Sequence, residues 1–205
     1  MKNYICICGQ NIELNDEQIR QLRESLGITS KKLRDVSEGK AVRIGEFEFV
    51  VLEHSKDTTA LILKEDFKDD VQFGANNNKY VDSNVDTICC DFATKLAAIV
   101  GEENVIEHTV DLISDDGLKD YGKIRRKASL LTTALYRRYV DILDKFLLEK
   151  WWWLATPHST KRHGNESWVK CVSPSGNIYY SYYYDEYAVR PFCILNSNIF
   201  VSEVE

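Results

Sequence analysis

The stretch "WVKCVSPSGNIYYSYYYDEYAVRPFCILN", Trp168 to Asn196, decides how the chain is read. It predicts a β-hairpin turning at Pro174-Ser175-Gly176-Asn177, because Gly and Asn there supply turn geometry between two alternating apolar runs. "YAVRPFCILN" reads as the closing strand, and Pro191 inside it predicts an edge strand or a bulge. Six of the nine residues from Tyr179 to Tyr187 are tyrosine. A core would take Leu, Ile or Val, which carry no hydroxyl to satisfy. Tyr suits a surface that touches something, since it offers a large rigid ring and a polar tip.

Strand alternation splits Tyr179, Tyr180, Tyr182, Tyr183, Tyr184 and Tyr187 between two faces, one packed inward and one outward. The preceding segment "PHSTKRHGNES" is a long polar loop that delivers His158, Arg162, His163 and Asn165 beside Trp168. These residues and the six tyrosines form the candidate binding set, an aromatic and polar mix typical of recognition surfaces. Upstream, "WWWLAT" enters as a strand, with Trp152 facing opposite to Trp151 and Trp153, so that at least one of the three lies in the core.

Further toward the N-terminus, "AVRIGEFEFVVLEHS" predicts two strands turning at Gly45-Glu46, and "TTALILKED" pairs with the second across Lys56-Asp57. "FGANNNKYVDSN" reads as loop. Ser83 or Asn84 caps a helix through "VDTICCDFATKLAAIVG", which Gly101 closes. "VIEHTVDLIS" predicts one short strand and "DDGLKDYGKIRRK" a polar excursion. "SLLTTALYRRYVDILDKFLL" contains a helix with Leu135, Tyr139, Ile142, Leu143 and Phe146 on its buried side. The first residues form a separate strand-strand-helix pattern. "YICICGQNIEL" turns at Gly9-Gln10, then Asn15 or Asp16 caps "DEQIRQLRESLGI", which Gly27 stops. "TSKKLRDVSEGK" follows as a polar connector. The expected organisation is a β-hairpin-helix module over residues 1–37 and a main domain over 38–205, α+β in class.

Composition narrows the function. Of the 205 residues, 44% are hydrophobic and 28% charged, ordinary for a globular chain. No apolar run approaches the roughly 20 residues that span a bilayer. The start "MKNYICICGQ" lacks the apolar core and cleavage site of a signal peptide, so the expected location is the cytoplasm, with no membrane partner. The net charge of −6 argues against general nucleic-acid binding. It is too mild for a DNA-mimicking surface, to which Asp66, Asp69 and Asp70 would contribute. The one basic cluster, Lys123, Arg125, Arg126 and Lys127, reads as a solvated face or loop.

Catalytic signals are sparse. No Ser-His-Asp order, phosphate-binding loop, dinucleotide fingerprint or zinc-protease motif occurs. The six cysteines, Cys6, Cys8, Cys89, Cys90, Cys171 and Cys193, include no C-x-x-C pair and read as buried free thiols of a reducing compartment. Zinc held by Cys6, Cys8 and the Cys89–Cys90 pair is the sharper reading that loses to that one. His54 and His108 sit in or at strands and read as structural. His158 and His163 lack a third ligand. Neither a metal nor a cofactor is expected. Arg190 reads as a buried guanidinium bonded to loop carbonyls or a nearby carboxylate such as Asp185 or Glu186, in preference to an anion anchor.

The segments "WWWLATPHST", the Ser-Gly turn, "AVRPFCIL" and the tail "NIFVS" are similar to a bacterial and phage domain family of unknown function, common in gut Firmicutes and their prophages. Its members carry a strand like "VRIGEFEFVVLEH", then "TTALILK", a W-W-L-[AR]-[ST]-P segment and a final V-R-P strand. The resemblance covers roughly Lys40 to Ser202, with "GEENVIEHTVDLISDDGLKDYG" typical of phage-borne members. That family in turn resembles C-type-lectin-like folds, including the formylglycine-generating enzymes and the variable proteins of diversity-generating retroelements. The resemblance implies twisted strands and two helices holding up an irregular C-terminal surface, with the tyrosines on that surface. Two departures limit it. The calcium-lectin motifs Glu-Pro-Asn, Gln-Pro-Asp and Trp-Asn-Asp are absent. The contexts of Cys171 and Cys193, expected on neighbouring strands, do not match the reactive cysteine pair of the oxidases.

The expected function is non-enzymatic recognition by a phage or mobile-element protein. Its expected partner is a host protein or ribonucleoprotein, and a specific version is inhibition of a bacterial defence nuclease in the manner of an anti-CRISPR protein. The alternatives are an oxidase using Cys171 and Cys193, and a virion or structural subunit with its tyrosines at an oligomer interface.

Overall fold

The computed structural model describes residues 3–7, 10–25 and 30–204. The strands are β1 (Asn3–Ile7), β2 (Gln10–Leu14), β3 (Lys31–Lys32), β4 (Ala41–Ile44), β5 (Phe47–His54), β6 (Thr58–Leu63), β7 (Lys68–Gln72), β8 (Val105–Ile106), β9 (His108–Asp111), β10 (Lys123–Arg126), β11 (Ala128–Ser129), β12 (Trp152–Pro157), β13 (Trp168–Val172), β14 (Ile178–Tyr182), β15 (Glu186–Val189), β16 (Phe192–Asn196) and β17 (Phe200–Val204). The helices are α1 (Asp16–Ser25), α2 (Asn84–Val100), α3 (Thr133–Arg138) and α4 (Val140–Leu143). The class is α+β, with mostly antiparallel sheets.

An eight-stranded sheet runs β11-β16-β6-β5-β4-β17-β3, with β8 also on β16, and a five-stranded sheet runs β14-β13-β12-β15-β7. Strand alternation explains how they stack. Phe49, Val51, Leu61 and Leu63 point to one side of the larger sheet, where α2 covers them with Phe92 and Leu96. Val50, Leu52 and Ile62 point to the other side, against Trp152, Leu154, Val172 and Ala188 of the smaller sheet and Tyr136, Tyr139 and Leu143 of α3–α4. The far face of the smaller sheet packs Trp153, Ala155, Val169 and Cys171 on Phe73, Tyr80, Val85 and Cys89. The run "WWWLAT" is apolar up to Thr156, which is itself buried, because both faces of β12 are covered. Trp152 and Trp153 are both fully buried, on opposite sides.

Several expected elements stand as read. Ser83 Oγ accepts from Asp86 N and caps α2, and Gly101 ends it at φ 91 with its N–H on Ala97 O. Asn15 and Gln18 exchange side-chain-to-backbone bonds of 2.9 and 3.0 Å, a capping box at α1. The hairpin turn is closed by Ser173 and Asn177, with Gly176 at φ 79, and a Cβ on Gly176 would come within 3.2 Å of Asp144 and Leu147. The turn at Gly9 and the stop at Gly27 lie outside the described residues.

Other readings are corrected. "YAVRPFCILN" is two strands: β15 belongs to the smaller sheet and β16 to the larger, where β16 is interior. Pro191 sits at the crossing between sheets, neither on an edge strand nor in a bulge of one, and only its carbonyl bonds, accepting from Leu63 N at 3.0 Å. "VIEHTVDLIS" likewise divides into β8 and β9, in different sheets. The excursion contains β10, which pairs with β9 from Lys123↔Asp111 to Arg126↔His108. The expected single helix is α3 and α4, parted at Tyr139, whose φ −107 and ψ 13 leave helical geometry. The connector read as polar places Leu33 and Val36 in the first core. β1 and β2 form their own two-stranded sheet, and β2 contacts α1.

Candidate functional site

β13 and β14 pair in antiparallel register from Trp168↔Tyr182 to Val172↔Ile178. At the turn end their even-numbered residues, Val172 and Ile178, belong to the core between the sheets. Two and four residues further along, the same face emerges as Lys170 and Tyr180, then Trp168 and Tyr182. The Tyr run is therefore the continuation of a core face into solvent, which is why it keeps large rings and adds hydroxyls.

On that face five rings make a continuous row. His158 lies 4.7 Å from Tyr180, which stacks on Trp168 at 4.7 Å and 16°. Trp168 meets Tyr182 edge-on at 5.8 Å, and Tyr182 stacks on Tyr184 at 5.0 Å and 7°. Tyr180, Tyr182 and Tyr184 are 49%, 41% and 49% exposed, high for side chains of this size. Desolvation and the neighbouring Tyr182 raise the Tyr184 phenol above its ordinary value. Buried Lys170 supports it, donating to Asp115 Oδ2 at 3.1 Å with its ammonium 5.6 Å from the Tyr180 ring. His158 N donates to Trp168 O at 2.9 Å, whereas His158 Nδ1 is buried without a partner among the described residues.

The opposite face holds the remaining tyrosines. Tyr179 packs edge-on to Trp151 at 5.3 Å, and Tyr187 lies 5.7 Å from Trp151 and 4.6 Å from Trp153. Ser181 Oγ lies 3.0 Å from the Tyr187 hydroxyl and donates to Asp185, which also accepts from Tyr182 N at 3.1 Å. Tyr183 is half-buried against the third core. Of this group Tyr179 alone is strongly exposed, at 50%.

The loop before Trp168 is tied down by carboxylates. Asp116 accepts from Ser114 Oγ at 2.5 Å, Ser159 Oγ at 2.6 Å and His163 Nδ1 at 3.0 Å. Desolvation pushes its carboxyl up, but those three donors outweigh it and hold it well below the usual range. Thr160 and Arg162 both bond Asp120, and Asn165 Oδ1 accepts from Ser167 N at 3.2 Å. Thus His158, Trp168, Tyr180, Tyr182 and Tyr184 are brought together, while Arg162, His163 and Asn165 hold the loop. Sequence reasoning missed Lys170, which alternation places on the Trp168 face, and Asp115, Asp116 and Asp120, whose long-range pairing leaves no local signal.

The cysteine pairing is corrected. Cys171 lies on β13 in the third core and Cys193 on β16 in the first, in different sheets. Burial pushes the Cys171 thiol up to about 12 and raises Cys193 further. Cys6 and Cys8, half of the weighed zinc set, have side chains outside the described residues. Among the described residues no group of three or more His, Cys, Asp or Glu is placed to hold a metal ion. Arg190 is buried, and its guanidinium donates to Leu63 O at 2.7 Å and Lys64 O at 2.9 Å, carbonyls rather than Asp185 or Glu186. It lies 5.5 Å from the Trp152 ring, and burial lowers it to about 10. His54 and His108 bond Thr59, Val36 O and Ser129 inside the fold.

The basic cluster is paired rather than free: Lys123 with Asp111, Arg125 with Glu107, Arg126 with Asp86 and Lys127 with Glu102. No helix among the described residues is long and apolar enough to cross a membrane. No family model matches the chain, and neither a curated protein nor a solved structure matches it.

Proposed function

We propose that this chain is a non-enzymatic recognition protein on a C-type-lectin-like scaffold, binding a protein surface through the row His158, Trp168, Tyr180, Tyr182 and Tyr184. The observation that carries the reading is five rings in mutual contact on one sheet face, three of them tyrosines exposed by 41% to 49%. Rigid amphipathic rings supported from below are the residue type and setting in which binding hot spots concentrate. Single-stranded nucleic acid also stacks on such rings, but it requires a cationic groove beside them. Here Lys170, Arg137 and Arg162 are engaged by Asp115 and Asp120, and the whole chain carries −6. A protein, alone or as the protein part of a ribonucleoprotein, fits better.

The family resemblance supports placing that partner in a bacterial host, with this chain acting in its cytoplasm as a phage or mobile-element product. Inhibition of a defence nuclease is the specific form of this reading. The test is capture from bacterial lysate with wild type and Tyr182→Ala/Tyr184→Ala, followed by titration of the purified partner. A protein bound by wild type and weakened at least tenfold by the double variant supports the reading. Equal binding by both overturns the assignment to this face.

A further inference from the structure

Of the edges of the two large sheets, all are protected except one. The larger sheet ends in β11 and β3, two residues each, too short to template another strand. The smaller sheet ends on one side in β7, "KDDVQ", with Lys68, Asp69 and Asp70 exposed, Asp70 at φ 51 and Lys150 paired with Asp69. Charge and irregular backbone are the usual devices against edge pairing. Its other edge, β14, is "IYYSY", with neither a charge nor a proline in five residues.

The hydrogen-bond phase of β14 is fixed. Ser173 N donates to Asn177 O at one end and Tyr183 N to Ser167 O at the other. In an antiparallel ladder bonded pairs alternate, so Tyr179 and Ser181 bond inward to Cys171 and Val169. The peptide groups of Ile178, Tyr180 and Tyr182 therefore point to the open side. Tyr182 is satisfied by its own turn, its N–H on Asp185 Oδ2 and its carbonyl accepting from Asp185 N. Ile178 and Tyr180 remain, each with an outward donor and acceptor.

We infer that β14 pairs antiparallel with β14 of a second copy of this chain, on a two-fold axis at Tyr179. The open groups are spaced symmetrically about Tyr179, so Ile178 faces Tyr180 of the second copy and both donors and both acceptors on each chain are closed. Tyr179 meets its own counterpart as a non-bonded pair, where side chains approach most closely. No charge in β14 opposes this pairing. The two smaller sheets become one continuous sheet, and the two aromatic rows lie on the same face of it. An edge strand of a different partner would need to supply a matching pair of peptide groups; the second copy supplies them by symmetry. The inference does not depend on what the row binds.

The test is the mass of the purified full chain by sedimentation from micromolar to hundreds of micromolar, with no partner present. A wild-type monomer–dimer equilibrium is expected. Tyr180→Pro, which deletes an outward N–H that the fold does not use, is expected to be monomeric, while Tyr180→Ala retains dimerisation. Tyr179→Cys, oxidised mildly, is expected to give covalent dimers on non-reducing gels beyond the wild-type level, and Tyr184→Cys is not. A wild type that stays monomeric throughout overturns the inference. So does a dimer that Tyr180→Pro leaves intact and Tyr179→Cys fails to trap. If Tyr180→Pro does not fold, the cross-link at position 179 decides the matter.

Discussion

Tyr182 and Tyr184 stack with ring centroids 5.0 Å apart and planes within 7° of parallel, while both rings stay more than two-fifths exposed. Neither ring fills a core position, so Tyr182→Ala/Tyr184→Ala is expected to cost no more than about 1 kcal/mol of folding stability, the stacking contribution. Partner affinity is expected to fall by roughly 2 kcal/mol or more if both are hot spots. Trp153→Ala is the contrast. It empties a fully buried site and removes the indole bond to Val71 O, at an expected cost of about 3–5 kcal/mol. Urea unfolding of both variants, beside a binding titration, checks the separation. A large stability loss in the double Tyr variant would show the row to be core.

Asp86 and Arg126 form a two-bond fork, Nε to Oδ1 and a terminal nitrogen to Oδ2, both at 2.8 Å. Asp86 lies in the first turn of α2 and is 2% exposed, and Arg126 is the charged side chain paired with it. Arg126→Ala leaves a buried carboxylate with the Asp82 N–H as its remaining donor, and an expected loss of about 3–5 kcal/mol. Arg125→Ala, whose pair with Glu107 is exposed on both sides, is expected to cost less than about 1 kcal/mol. The two midpoints in one denaturant series test the difference; equal effects would refute it.

These comparisons show what was legible in the sequence. The hairpin at Gly176, the strands around Gly45 and the capped helix α2 are written in local signals of turn residue, alternation and cap. The same signals could not show that β15 and β16 belong to different sheets, because Val189 and Phe192 are both apolar and only Pro191 between them hints at a break. β10 was hidden because three of the four residues of "KIRR" are charged, paired with Asp111, Glu107 and Asp86, and it has no apolar alternation. Alternation separated Tyr180 and Tyr182 from Tyr179, but the run did not show that Tyr183 and Tyr187 pack against the third core. The partners of His163 and Arg162 were not legible, since Asp116 and Asp120 lie more than forty residues away in the chain.

Asp116 is expected to act as the clasp of the 158–165 loop. Its carboxyl is held well below the ordinary range by Ser114, Ser159 and His163. A depressed folded value means the stabilisation is present above the ordinary carboxylate range and is lost as pH falls below it. Asp116→Asn is expected to flatten that acid limb and to speed amide exchange at Gly164 and Asn165, with little change in α2. Unchanged exchange in the loop would show that it is held by other contacts.

The thiols separate recognition from oxidation chemistry. Cys89, Cys171 and Cys193 are fully buried and all three thiols are raised by burial, while Cys90 is exposed. A thiolate is the reactive form, so brief alkylation of the native chain at neutral pH is expected to modify Cys90 and spare those three. Peptide mapping by mass spectrometry reads this directly. Rapid labelling of Cys171, or a Cys171–Cys193 disulfide, would revive the oxidase alternative.

His108 gives the fold a defined pH response. Its ring is buried, with Nε2 bonded to Ser129 Oγ at 2.9 Å and its plane edge-on to Phe192 at 5.1 Å. Burial lowers its value from 6.5 to about 4, despite the opposing effect of the Ile106 carbonyl. The unfolded chain therefore binds a proton between those limits that the folded chain does not. Stability is fully present above about pH 6.5 and declines as pH falls toward 4, by about 3 kcal/mol in all. His108→Gln keeps a donor for Ser129 and removes the titration. The variant is expected to be less stable than wild type at pH 7.5, because it loses the ring packing, and the gap is expected to close or reverse at pH 4.5. Urea midpoints of both proteins at the two pH values measure this. A gap that stays constant would mean that His108 is protonated or neutral alike in the folded and unfolded chains, and that the acid response comes from the carboxylates alone.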